Sequence, residues 1–156
     1  MKAILTAVQD ALIAVAGSGE LLEEITEDRF YLTKADKGCA LPCVVISNRN
    51  ARSVPGAQGN NYNLKDFHVF VDLYYSMTPD TRANYEAAEL LGDKVEQALM
   101  ENDTLTGFTM DGTPLIIEDT GYFTAVLPAF GSDSRECYNI SITTVIEHAI
   151  GGGEVW

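Results

Sequence analysis

Residues 67–76, "FHVFVDLYYS", narrow the choice of fold more than any other stretch. Successive side chains of an extended chain point to opposite faces. Phe67, Val69, Val71, Leu73 and Tyr75 therefore share one face, and His68, Phe70, Asp72 and Tyr74 share the other. The first face is apolar and belongs on a core; the second is mixed. A helix pattern follows at once. Thr78-Pro79 has the chemistry of a helix cap and first position, and Ala87, Leu91, Val95 and Leu99 recur every fourth residue. The spacing predicts a helix over about 79–101, with Gly92 allowing a close approach to whatever packs on it.

The remaining elements follow from the same two periods. Ile4, Val8, Leu12 and Val15 form one helical stripe with Asp10 off it, which predicts an amphipathic helix from Lys2 to Ala16 ended by Gly17. Gln9 and Asp10 interrupt the apolar run, so the segment is read as this helix in a cytoplasmic chain rather than as a signal peptide. Arg29–Leu32 is predicted as a short strand, and Cys43–Ile46 as a strand started by Pro42. Asn48–Asp66 is rich in Asn, Gly, Ser and Pro, and is expected to be either a long loop or a β-hairpin arm. Asp111-Gly112 is a hairpin turn signal, "FTAVLP" reads as a strand, and Tyr138, Ile140, Ile142 and Ile146 alternate with polar neighbours in a last strand. The expected class is α+β: a mainly antiparallel sheet with two principal helices on one face. Residues 1–150 are read as one domain, and 151–156, "GGGEVW", as a flexible tail whose Trp156 docks on a neighbour.

Charge separates the two halves of the chain. Residues 1–78 hold nine acids and seven bases; residues 79–156 hold fourteen acids and three bases. Six of the ten basic residues fall between Arg29 and Lys65. A net charge of −13 argues against holding nucleic acid by phosphate neutralisation, which needs clustered Lys and Arg. No run approaches the roughly 18 apolar residues of a membrane span.

Residues with chemical potential are few. Cys39, Cys43, Cys137, His68 and His148 supply enough ligands for zinc, but the Cys-x-x-x-Cys spacing has no second pair. If both cysteines lay on one strand they would sit about 13 Å apart. Cys43 is therefore read as a small hydrophobe entering a buried strand. His68 and Asp72 share a strand face at too great a spacing to pair directly. No nucleophile elbow or phosphate loop occurs. No catalytic residue, cofactor or metal is predicted.

The order of "ILTAVQDALIAV", "LPCVVIS", "FHVFVDLYYS", "RANYEAAELLGDKVEQAL", "LTGFTMDG" and "YNISITTVIEH" resembles that of the tail terminator, or minor tail (tail-completion), proteins of long-tailed bacteriophages. The likeness spans most of the chain. It departs at Cys43, where an aromatic is common in the family, and in the acidic second half. The resemblance implies a structural virion subunit, assembled in the bacterial host cytoplasm, that forms a ring, usually a hexamer. Such a ring ends growth of the tail tube and joins tail to head. It contacts the tube protein and the head–tail connector, and DNA passes through it without specific binding. Arg49, Arg52, Tyr62, Lys65 and Trp156 are the candidate subunit-interface residues, with the arginines facing acids of the next subunit. Three other readings stand beside this one: a connector or tube subunit of the same machine, a small metal-dependent or small-molecule-binding enzyme, and a stand-alone acidic binding module such as a nucleic-acid mimic.

Overall fold

In the computed structural model, the alternating stretch lies in the central strand of a five-stranded sheet. The structure describes residues 2–53, 62–101, 116–126 and 136–151, and the side chains of 3–48, 67–101 and 136–146. The elements are α1 (Lys2–Ile13), β1 (Phe30–Leu32), β2 (Cys43–Ser53), β3 (Tyr62–Ser76), α2 (Arg82–Glu101), β4 (Ile116–Val126) and β5 (Glu136–Gly151). Their order across the sheet is β1-β2-β3-β5-β4. The β1–β2 pairing is parallel; the other three are antiparallel. The chain is thus an α+β fold with a mainly antiparallel sheet.

Register explains which residues make the core. Val71 sits opposite Ile46 on one side and Ile142 on the other; Leu73 sits opposite Val44 and Ile140. Residues directly across a ladder share a face, so these rows form one continuous apolar surface. The buried stripes of both helices close on it: Ile4, Val8 and Leu12 of α1, and Leu91, Val95 and Leu99 of α2, belong to the same cluster. Both helices therefore pack on one side of the sheet.

Each helix differs from its sequence expectation at an end. α1 stops at Ile13 rather than Ala16. Its last turn tightens, with Val15 N–H donating to Leu12 O (3.2 Å) and Ala16 N–H to Ile13 O (3.1 Å). Gly17 follows at φ +92°, a conformation that glycine adopts without a Cβ clash. α2 begins at Arg82, not Pro79. Its cap is Thr81, whose hydroxyl accepts from Asn84 N–H at 3.2 Å, and not Thr78. Residues 78–80 are used instead to turn the chain off the sheet. The Asn84 side-chain amide secures that turn by donating to Ser76 O (2.6 Å) and Pro79 O (3.1 Å). Tyr138 of β5 also donates its hydroxyl to Asp80 there. The buried stripe starts at Ala88 rather than Ala87.

Two details of packing carry predictions. Gly92 faces β5 so closely that an added Cβ would lie 2.7 Å from Ile140 Cδ1 and 3.1 Å from its Cγ2. Thr144 is buried on the helix-facing side, and its hydroxyl has no partner among the described residues. A buried hydroxyl without a hydrogen bond is costly. Thr144→Val keeps the shape and removes that cost, and is expected to raise unfolding stability by about 1 kcal/mol in urea titrations; a lower midpoint at unchanged slope would contradict it.

Outside the core, Lys94 of α2 reaches Glu24 in the α1–β1 connection at 2.9 Å. Burial alone would raise the Glu24 carboxyl. The Lys94 hydrogen bond, the backbone bond and the Lys94 charge together outweigh it and hold the group below its ordinary 4.5. A lowered carboxylate stabilises the fold above its unfolded pKa, and the contribution disappears as pH falls through the folded value. Lys94→Met should therefore cost less than about 1 kcal/mol at pH 7, as half-exposed pairs do, and the gap from wild type should close as pH falls below the ordinary 4.5 and through the lowered folded value. A gap that is constant with pH would contradict this.

Candidate functional site

The segment expected to be a loop or an arm is, where described, an arm. β2 stays paired with β3 through Asn50↔His68, Ala51↔Phe67, Arg52↔Asp66 and Ser53↔Lys65. β5 accompanies β3 further, to Tyr62↔Gly151. Among the described residues, β4 is paired with β5 from Val145 to Glu136. Among the described residues, the β2–β3–β5 ladder continues roughly 17 Å past Phe67 at about 3.3 Å per residue. The apolar alternation marks the strands as far as Phe67. Polar residues continue the ladder after it, which is why composition alone suggested a loop.

The register places the candidate interface residues. Arg49 is the extra residue at a register shift between Asn48 and Asn50. Bulges of this kind bend and twist a strand. Arg52 pairs with Asp66, and Lys65 lies between Ser53 on β2 and His148 on β5. Tyr62 is the first residue of β3. These four are brought together on one arm. Trp156 lies outside the described residues, as do 54–61, the Asp111-Gly112 turn and the tail from 152.

The opposite face of the sheet carries a small second core. Residues 33–42 cross over it between the parallel strands β1 and β2, and Ala35 and Cys39 from this strap pack with Cys43, Val45, Tyr74 and Cys137. All three cysteines are buried and unbridged. The Cys39 and Cys43 sulfurs lie 3.9 Å apart. The sequence expectation of about 13 Å is corrected here because Cys39 is not on the strand: β2 starts at Cys43, Cys39 N–H closes a turn onto Asp36 O at 3.1 Å, and the chain bends back at Leu41–Pro42. Burial pushes the Tyr74 phenol far up, with Asp72, Cys137 and Cys43 adding to it, so it stays neutral. Among the described residues, no group of three His, Cys, Asp or Glu is placed to hold a metal ion. Cys43 packs as a small hydrophobe, as its sequence context suggested.

One surface was missed by sequence reasoning. Leu90 and Met100 on α2 are 58% and 56% exposed, the large hydrophobics left open among the described residues. Exposed Glu86, Glu89 and Asp93 lie within four residues of Leu90, and exposed Glu101 adjoins Met100, about 15 Å further along the helix. The signal was available. Leu90 and Leu91 are adjacent, about 100° apart around a helix, so burying Leu91 turns Leu90 outward.

No helix among the described residues is long and apolar enough to cross a membrane. No family model matches the chain, and no curated protein matches it.

Proposed function

We propose that this chain is a structural subunit that assembles with copies of itself into a closed ring, and that the ring caps a bacteriophage tail tube and joins it to the head. The observation that carries the reading is the β2–β3–β5 arm, which carries the ladder on from Phe67 to Tyr62. The outer strand of such a ladder presents backbone N–H and C=O groups with which another chain can pair. A head-to-tail contact between two different surfaces closes a ring when its rotation closes.

The charge division supports the same reading. Fourteen of the 23 acids lie after residue 78, whereas the hairpin at 47–66 holds Arg49, Arg52 and Lys65 against one acid, Asp66. The overall acidity repels phosphate, so a duplex threading the ring slides without sticking. The ring's partners are then the tail tube protein on one face and the connector on the other, with no metal or organic cofactor taking part.

Light scattering of the purified chain combined with negative-stain images tests this. Annuli of a single size, with a mass near six subunits, are the expected result. Long tubes would reassign the chain as a tube subunit of the same machine. A particle with the mass of one chain at every concentration would end the assembly reading.

A further inference from the structure

The second core holds chemistry that the ring reading does not use. We propose that Cys39 and Cys43 are a redox-active dithiol, which a low-molecular-weight disulfide oxidises to an intrachain disulfide that staples the strap at 33–42 to β2.

Sulfur geometry selects this pair from the three cysteines. Cys39 Sγ lies 3.9 Å from Cys43 Sγ. Closing to the roughly 2.05 Å of a bond asks for a shift of about 2 Å. Cys39 is on the strap and can make that movement, whereas Cys43 is anchored as the first residue of β2. Cys137 belongs to the same core but is beyond the reach of Cys43. Cys43 sits opposite Tyr74 on β3, and Cys137 is on β5, the strand on the far side of β3. Two strand spacings hold their backbones at least about 9.5 Å apart, past the roughly 7 Å limit for a disulfide.

Access runs through the strap. Cys39 is 6% exposed and lies between exposed Gly38 and Ala40, whereas Cys43 is fully buried. Cys39 is therefore the sulfur that a reagent from solution meets first. The strap is built of turns: Cys39 N–H donates to Asp36 O at 3.1 Å. It is tied near its ends by Thr33 N–H donating to Ile46 O (2.8 Å) and by Arg29 Nη1 donating to Leu41 O (3.4 Å). Such a segment opens locally without unfolding the sheet beneath it.

The chemistry is two successive exchanges. The Cys39 thiolate attacks one sulfur of the reagent, whose S–S bond breaks, and the first small thiolate leaves. The Cys43 thiolate then attacks the Cys39 sulfur of this mixed disulfide, and the second small thiolate leaves. The two cysteine protons end on the two released thiols, and the two electrons given up by the pair reduce the reagent. Excess small thiol runs both steps backwards. The bridge pins the strap, and Cys137 is sealed beneath it.

Oxidised glutathione added to the reduced, folded chain tests the pairing. Trypsin leaves Cys39 and Cys43 together on peptide 38–49 and Cys137 on peptide 136–156. The expected product is peptide 38–49 lighter by about 2 Da, the two hydrogens lost, with Cys137 still a thiol. A bridge to Cys137, or a chain that reacts only after denaturation, would overturn the proposal. In Cys43→Ala the mixed disulfide at Cys39 has no second thiol to resolve it and should persist; an unmodified Cys39 there would overturn the order of attack. In Cys137→Ala the bridge should form within about twofold of the wild-type rate. The wild-type peptide map carries the test if a variant fails to fold. Alkylation of Cys137 in the folded chain reads the staple: it should slow at least about tenfold after oxidation and recover on reduction. An unchanged rate would overturn the staple. The bridge lies within one chain, so these readouts are independent of assembly and of the ring reading.

Discussion

Replacing Gly92 with leucine is expected to destabilise the fold by about 3 kcal/mol or more, the upper range for overpacking a filled core. At this chain length that is a fall in melting temperature of roughly 6–12 °C. The reason is the contact between α2 and β5. The added Cβ alone would sit 2.7 Å from Ile140 Cδ1, and three further carbons have to go where the cluster is already closed. Gly92→Ala is the graded control. Alanine gains about 1 kcal/mol of helix propensity, and the Ile140 methyl at the far end of its side chain can swing aside. The Cγ2 contact at 3.1 Å remains, so a net loss near 1 kcal/mol is expected. Trimming the partner makes the argument specific: Ile140→Ala combined with Gly92→Leu should recover at least about 1 kcal/mol relative to additivity. Melting temperatures that add without coupling would place the helix further from the strand than it is.

The second large effect tests the register of the sheet. Ile142→Ala is expected to cost about 2–5 kcal/mol, and Thr143→Ala, one residue on, less than about 1 kcal/mol. Ile142 is fully buried opposite Val71, on the face covered by α1 and α2. Thr143 is half-buried on the other face, opposite Phe70. A slip of one residue would exchange those two environments. Equal losses at the two positions, measured by urea titration, would contradict the pairing of β3 with β5.

The sequence carried much of this arrangement wherever one face of an element is buried. Phe67 to Tyr75 alternate because β3 divides the helix-covered core from the strap side, and that alternation is visible without coordinates. The stripes of α1 and α2 were legible for the same reason. Long-range geometry was not. Nothing in "GCALPCVVIS" states that residues 33–42 form a strap over the second core, so the sulfurs of Cys39 and Cys43 came out at 3.9 Å where a straight strand would have held them far apart. Thr78 reads as the helix cap, but the turn secured by Asn84 leaves that place to Thr81. Of β4, only "FTAVLP" reads as a strand in the sequence. The element is one strand from Ile116 to Val126, with a register shift between Ile117 and Asp119. The arm was legible only as an alternative to a loop, because its residues have lost the apolar alternation that marks strands resting on a core.

The central claim is that the arm of one copy touches another copy. Lys65 makes it directly testable, being the single lysine between Lys37 and Lys94. Light and heavy-isotope chains can be mixed, assembled and treated with a carbodiimide, which joins an amine to a carboxylate in contact with it. The account predicts Lys65 peptides joined to acidic peptides of the opposite isotope. Assembled particles in which Lys65 links only to carboxylates of its own isotope would contradict it.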